Sequence, residues 1–137
     1  MVSFIAGGKG VGKTKKLIDM ANDKAKVTQG HLVYIDDDKR HIFDLNYDIR
    51  FVETGKRLLS NYRELIGFIQ GVLSMDNDIE VVYIDGLTNI IQNVDNESLL
   101  KLTARLEAIS AQESVDFVLC VNYEKDIFPE TLKGLLI

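Results

Sequence analysis

Apolar and polar positions along this chain change period several times, and the changes mark out its elements. Val2 to Ala6 is a short apolar run with β-branched and aromatic members, closed by glycines, and it reads as a buried strand. From Lys13 to about Val27, Leu17, Ile18, Ala21 and Ala25 recur at helical spacing, and Gln29-Gly30 supplies a stop. His31 to Ile35 reads as a second strand that runs into Asp36, Asp37 and Asp38, and Ile49 to Val52 as a short edge strand. Asn61 with Glu64 three positions on resembles a capping box. Leu65, Ile66, Ile69, Val72 and Leu73 form one apolar face of the helix that follows, which Ser74 to Asp78 ends.

The segment Ile79 to Ile84 carries the strongest strand signal, apolar on both faces as in a central parallel strand, and it leads into Asp85. A helix from about Glu97 to Gln112 presents Leu99, Leu102, Leu106 and Ile109, with Asp95 or Asn96 as its cap. Val115 to Val121 makes another buried strand, ending at Asn122, and Pro129 suits the first turn of a last short helix. The apolar end, Leu132 to Ile137, is expected to pack on the core. Strands and helices alternate throughout, which predicts right-handed βαβ crossovers and a mainly parallel sheet. The expectation is an α/β fold, a three-layer αβα sandwich, with residues 1–137 as a single domain.

Composition narrows the function classes. At 137 residues there is enough chain for one core and too little for two. The net charge of −5 argues against a protein that wraps nucleic acid, which needs a basic face. No apolar run is long enough for a membrane span, and the start lacks a leader, so the expected location is cytoplasmic. The one cysteine, Cys120, lies in an apolar strand and reads as a small buried thiol. His31 and His41 have no partner at metal-ligand spacing. The charge is uneven: Lys9, Lys13, Lys15, Lys16, Lys24 and Lys26 crowd the first thirty residues, a patch suited to a polyphosphate ligand.

That patch contains Gly7-Gly8-Lys9-Gly10-Val11-Gly12-Lys13-Thr14, a full match to G-x-x-x-x-G-K-[ST] between an apolar strand and an amphipathic helix. Glycines let successive backbone N–H groups turn inward on phosphate oxygens, and the start of the helix adds unpaired N–H groups and a positive dipole end. Lys13 is expected on the β- and γ-phosphates and the Thr14 hydroxyl on Mg²⁺. All eight residues, Gly7 to Thr14, are candidate nucleotide contacts.

The motif resembles that of P-loop NTPases, tightly over Val2 to Thr14 and by architecture beyond. The resemblance extends to the additional-strand class of RecA-like and AAA-like ATPases. It implies that Asp85 is the Walker B carboxylate holding Mg²⁺, with Thr14 as the other protein ligand. It also implies a carboxylate base, for which Asp36 is suitably placed, and a polar sensor, for which Asn122 is. Asp37 and Asp38 are expected in solvent.

Two departures from the family pattern matter. Gly86 stands where many of these ATPases carry a water-polarising glutamate. Lys9 falls one residue later than the lysine of the partitioning-type ATPases, so it is expected to face solvent rather than bridge a dimer. Arg40, Arg50, Arg57 and Arg63 offer arginine fingers among which the sequence does not choose. ATP is favoured over GTP because in Asn122-Tyr123-Glu124-Lys125-Asp126 the lysine does not follow the asparagine.

The implied function is an ATP-binding protein, a Mg²⁺-dependent ATPase acting as a switch or within a larger assembly, with a homo-oligomer or another protein as partner. The alternatives are a nucleoside kinase resembling thymidine kinases, though without a cysteine-rich zinc element, and a module that binds nucleotide without hydrolysing it.

Overall fold

Five apolar segments become strands in the computed structural model, which describes residues 1–137: β1 (Val2–Ala6), β2 (His31–Asp36), β3 (Arg50–Glu53), β4 (Ile79–Ile84) and β5 (Asp116–Val121). They form one sheet in the order β1-β5-β4-β2-β3, and every pairing is parallel. Parallel strands need crossovers and are covered on both faces, which is why β4 and β5 read as near-continuous apolar runs rather than alternating ones. The last strand, β5, does not add to an edge but inserts between β1 and β4.

Register then places the site. Ala6 lies opposite Val121, Leu119 opposite Ile84, and Ile84 opposite Ile35. β1 and β5 therefore end together, about two residues past the end of β4, and Gly7, Asn122, Asp85 and Asp36 emerge from the sheet at the same end.

Helices α1 (Lys13–Ala25), α2 (Tyr62–Ser74), α3 (Leu87–Ile90) and α4 (Asn96–Glu113) complete the fold with two 3₁₀ turns, Ile42–Asp44 and Glu130–Leu135. Successive strand residues point to opposite faces. Phe4, Val33, Ile35, Val82, Ile84, Phe117 and Leu119 pack with Leu65 and Ile69 of α2 and with Leu99 and Leu106 of α4. Ile5, Leu32, Tyr34, Val81, Tyr83 and Val118 pack with Leu17, Ile18 and Ala21 of α1 and with Leu45 and Ile49. Helices thus cover both faces, one heavily and one by α1 and a loop. No helix is long and apolar enough to cross a membrane.

Most departures from the expected elements are at their ends. α1 stops at Ala25 rather than near Val27, and β2 includes Asp36. The four-residue α3 was not expected, since one turn is too short to show a period, yet its Leu87 and Ile90 are buried. Pro129 sits before the last 3₁₀ turn as its cap rather than inside it, with ψ at 127°. Asn61 does cap α2, accepting from the Glu64 N–H at 3.1 Å, but Glu64 reaches back to the Ser60 N–H instead of completing the box on Asn61. Asn61→Ala removes that cap and is expected to lower stability by about 1 kcal/mol, read as a lower urea midpoint at unchanged m-value.

Both margins of the sheet are short or covered. Along β1, Phe4 bridges Leu136, and the Ile137 N–H donates to the Phe4 carbonyl at 2.9 Å. At the other margin β3 has four residues, and its ends, Arg50 and Glu53, are exposed.

Candidate functional site

The loop Gly7–Gly12 carries the chain from β1 into α1. Gly10 and Gly12 take φ values of 82° and 86°, a left-handed conformation that side-chain-bearing residues rarely adopt. Gly12 occupies the N-cap position of α1 and offers no side chain to satisfy the first turn, so those N–H groups are left for a ligand or solvent. At Gly8 the backbone passes close to the Glu124 carboxylate, which a side chain there would push aside. Lys13 Nζ donates to the Gly8 carbonyl at 2.7 Å, folding the ammonium over the loop.

At this end of the sheet, Thr14 Oγ1 donates to Asp85 Oδ1 at 3.2 Å, joining positions 71 residues apart. Tyr34 OH donates to the other carboxylate oxygen at 2.9 Å, and the Asp85 N–H donates to the Ile35 carbonyl at 2.9 Å. Asp85 is therefore buried, with each oxygen accepting one hydroxyl proton. Burial, with the Asp85 charge second, pushes the Tyr34 phenol upward, which keeps it a donor. Gly86 follows with φ at 63°, so a glutamate there would hold a left-handed backbone at a cost of about 1 kcal/mol.

Asp36 is also buried, and its Oδ1 accepts from the Asp37 N–H at 2.7 Å. Burial raises its carboxyl to about 8, with the Asp37 side chain and the Asp85 charge adding to the effect. Asp37, expected in solvent, is instead only 5% exposed and lines the same cleft. The chain turns immediately after β2, and the turn folds Asp37 inward. Asp38 is half-buried and accepts from Arg40.

These groups surround a cleft of about 470 Å³. Lys9, Gly10, Gly12, Lys13 and Thr14 line it from the loop and α1; Asp36, Asp37, Arg40 and His41 line it from β2 and the segment beyond. Asp85, Gly86 and Asn122 close the end of the sheet. Asn122 Nδ2 donates to Thr88 Oγ1 at 3.2 Å, so α3 holds that amide. Lys9 is exposed, as expected of it, yet lies on the cleft wall.

Gly7, Gly8 and Val11 face a second cleft of about 500 Å³, on the other side of the loop, with Lys16, Glu124, Lys125 and Asp126. The eight motif residues thus divide between two hollows, and Gly12 and Lys13 line both.

Sequence reasoning missed Tyr34, Asp37 and Thr88. Tyr34 reads as one more core residue of β2, and only the register that sets β2 beside β4 brings its hydroxyl to Asp85. Cys120 is buried as expected, with Sγ 3.6 Å from the Lys13 carbonyl; burial raises the thiol and keeps it protonated. His31 lies at the opposite end of β2 from Asp36, with Nδ1 2.6 Å from Asp76, which Arg50 also engages at 2.7 Å.

Oxygen donors from Thr14 and Asp85, a lysine, free N–H groups and one carboxyl held near neutrality make a site able to bind an anion and a hard cation together. A scan of the chain against protein-family models and a search of curated proteins both return no match.

Proposed function

We propose that this chain is a P-loop nucleotide-binding protein of the additional-strand class, a Mg²⁺-dependent ATPase that works as a switch or within a larger assembly. The observation that carries this reading is the 3.2 Å contact between Thr14 Oγ1 and Asp85 Oδ1. A glycine-rich motif by itself is a turn; a motif whose hydroxyl meets a buried carboxylate at the end of a neighbouring strand is suited to a metal–phosphate pair. The insertion of β5 between β1 and β4 agrees with the class, in which an additional strand separates the motif strand from the aspartate strand.

The donor set fits Mg²⁺, since both groups are hard oxygens and the ion commonly takes only one or two protein ligands beside phosphate and water. Once bound there, the ion would neutralise charge on the phosphates. The loop N–H groups would fix those oxygens, and Lys13 would leave the Gly8 carbonyl for them. Tyr34 would hold Asp85 in orientation. Asp36 would take the proton of an attacking water, and Asn122, steadied by Thr88, would position that water.

The test is a titration of ATP and GTP with and without Mg²⁺, followed by phosphate release. Tight binding of ATP and Mg²⁺-dependent release are expected, with release falling about 100-fold in Asp85→Ala. Folded protein with no affinity for any triphosphate would overturn the reading. Binding without release would instead favour the non-hydrolysing module, for which Gly86 in place of a glutamate is the supporting observation.

A further inference from the structure

We infer that Arg40 is this chain's own cation for the terminal phosphate of a bound nucleoside triphosphate, acting within the molecule that binds it. The inference rests on the nucleotide-binding reading and names a residue that the reading leaves open. Of the chain's five arginines, Arg40 alone lines the cleft that holds Lys13, Thr14, Asp36 and Asp85. Arg50 is engaged with Asp76, and Arg63 stacks on the Tyr62 ring at 5.3 Å. Arg105 is on the exposed side of α4.

Asp38 orients the Arg40 side chain. Asp38 accepts from its Nε through Oδ1 at 3.1 Å and Oδ2 at 3.0 Å, and Oδ1 also accepts from its backbone N–H at 3.0 Å. The carboxylate thus grips the stem side of the guanidinium, and neither terminal Nη group takes part in that grip. A planar fork fixed at its base and open at its tip matches the geometry by which arginine recognises phosphate oxygens.

Direction and charge agree. Lys9, Lys13 and Lys15 reach the cleft from the loop and α1, whereas Arg40 reaches it from the segment after β2, so a phosphate between them meets cations from two sides. Asp37 and Asp85, both buried, already place negative charge at this end. A terminal phosphate beside the Thr14–Asp85 pair adds more, and the only permanently charged cation lining the β2 side of the cleft is Arg40. The second cleft, on the other side of the loop, has no arginine.

The experiment compares calorimetric binding of ADP and of the non-hydrolysable triphosphate AMP-PNP, both with Mg²⁺, to the full chain and to Arg40→Ala and Arg40→Lys. In Arg40→Ala the Kd for AMP-PNP is expected to rise about tenfold or more, while that for ADP stays within about twofold. Arg40→Lys is expected to recover part of the loss, because the charge remains without the fork. Arg40 is exposed, so an unchanged thermal midpoint is expected and separates this role from a folding defect. If the natural chain binds AMP-PNP and Arg40→Ala leaves the ratio of the two affinities unchanged, the role of Arg40 is overturned and the nucleotide reading stands. If the natural chain binds neither probe, both fall.

Discussion

Lys13→Ala is expected to abolish tight ATP binding while leaving the fold intact. The Lys13 side chain packs into neither core cluster, and its one hydrogen bond is donated to the Gly8 carbonyl within the same loop. Its removal therefore costs the folded chain little, and the thermal midpoint should move by no more than about 3 °C. Binding is another matter. An ammonium held against phosphate oxygens, where Gly12 and α1 already direct N–H groups, is one half of a charge pair withdrawn from water. Truncating one member of such a pair costs about 2–5 kcal/mol, so the Kd for Mg²⁺-ATP is expected to rise between about 30-fold and several-thousand-fold. Calorimetric titration alongside a thermal melt checks both halves, and an unchanged Kd would remove the cradle from the account.

Asp36→Asn is expected to have opposite effects on stability and on turnover. In the unfolded chain this carboxyl titrates near the ordinary value of 3.8; in the folded protein, burial first, then Asp37 and Asp85, raise it to about 8. Between those values folding takes up a proton, so stability falls as pH rises from about 4 to about 8 and levels off above. Asparagine mimics the protonated acid: its oxygen still accepts from the Asp37 N–H, and its amide still donates toward the Asp37 carboxylate. The substitution removes the ionisation that the fold resists. Without nucleotide or Mg²⁺ the variant should melt at the same temperature as the natural chain near pH 4 and several degrees above it at pH 8. Turnover should respond the other way, because the ionised carboxylate is the form that accepts a proton from water. Phosphate release by the natural chain is expected to rise with pH through this region and to be largely lost in the variant. If melting temperatures of the two proteins stay parallel across pH, the raised carboxyl is wrong; if turnover is unchanged while Lys13→Ala abolishes it, Asp36 is not the base.

Much of this architecture was legible along the chain because its strands are covered on both faces. β4 and β5 could be read from near-continuous apolar runs, and α2 and α4 from one apolar face each. The order of the strands was harder to read from pattern alone. Nothing in Val115 to Val121 says that this last strand slots between the first and the fourth, since insertion depends on which neighbours bury it. The site divides in the same manner. Positions forced by backbone, such as Gly12 at its left-handed φ, leave a mark in the sequence. Positions made by register do not: Tyr34 joins Asp85 because β2 lies beside β4, and Asp37 turns inward because the chain reverses after β2. Arg40 could not be told from the other arginines until the cleft walls were known.

The two margins of the sheet bear on how copies of this chain meet. An unpaired strand edge is a template for another chain's backbone. Here the Leu136–Ile137 tail occupies one rim, and the other is a four-residue segment ending in charge at Arg50 and Glu53. Neither rim offers a long, flat row of free amides and carbonyls, which disfavours fibre-like stacking. Self-association, where it occurs, is directed away from backbone pairing and onto side-chain surfaces.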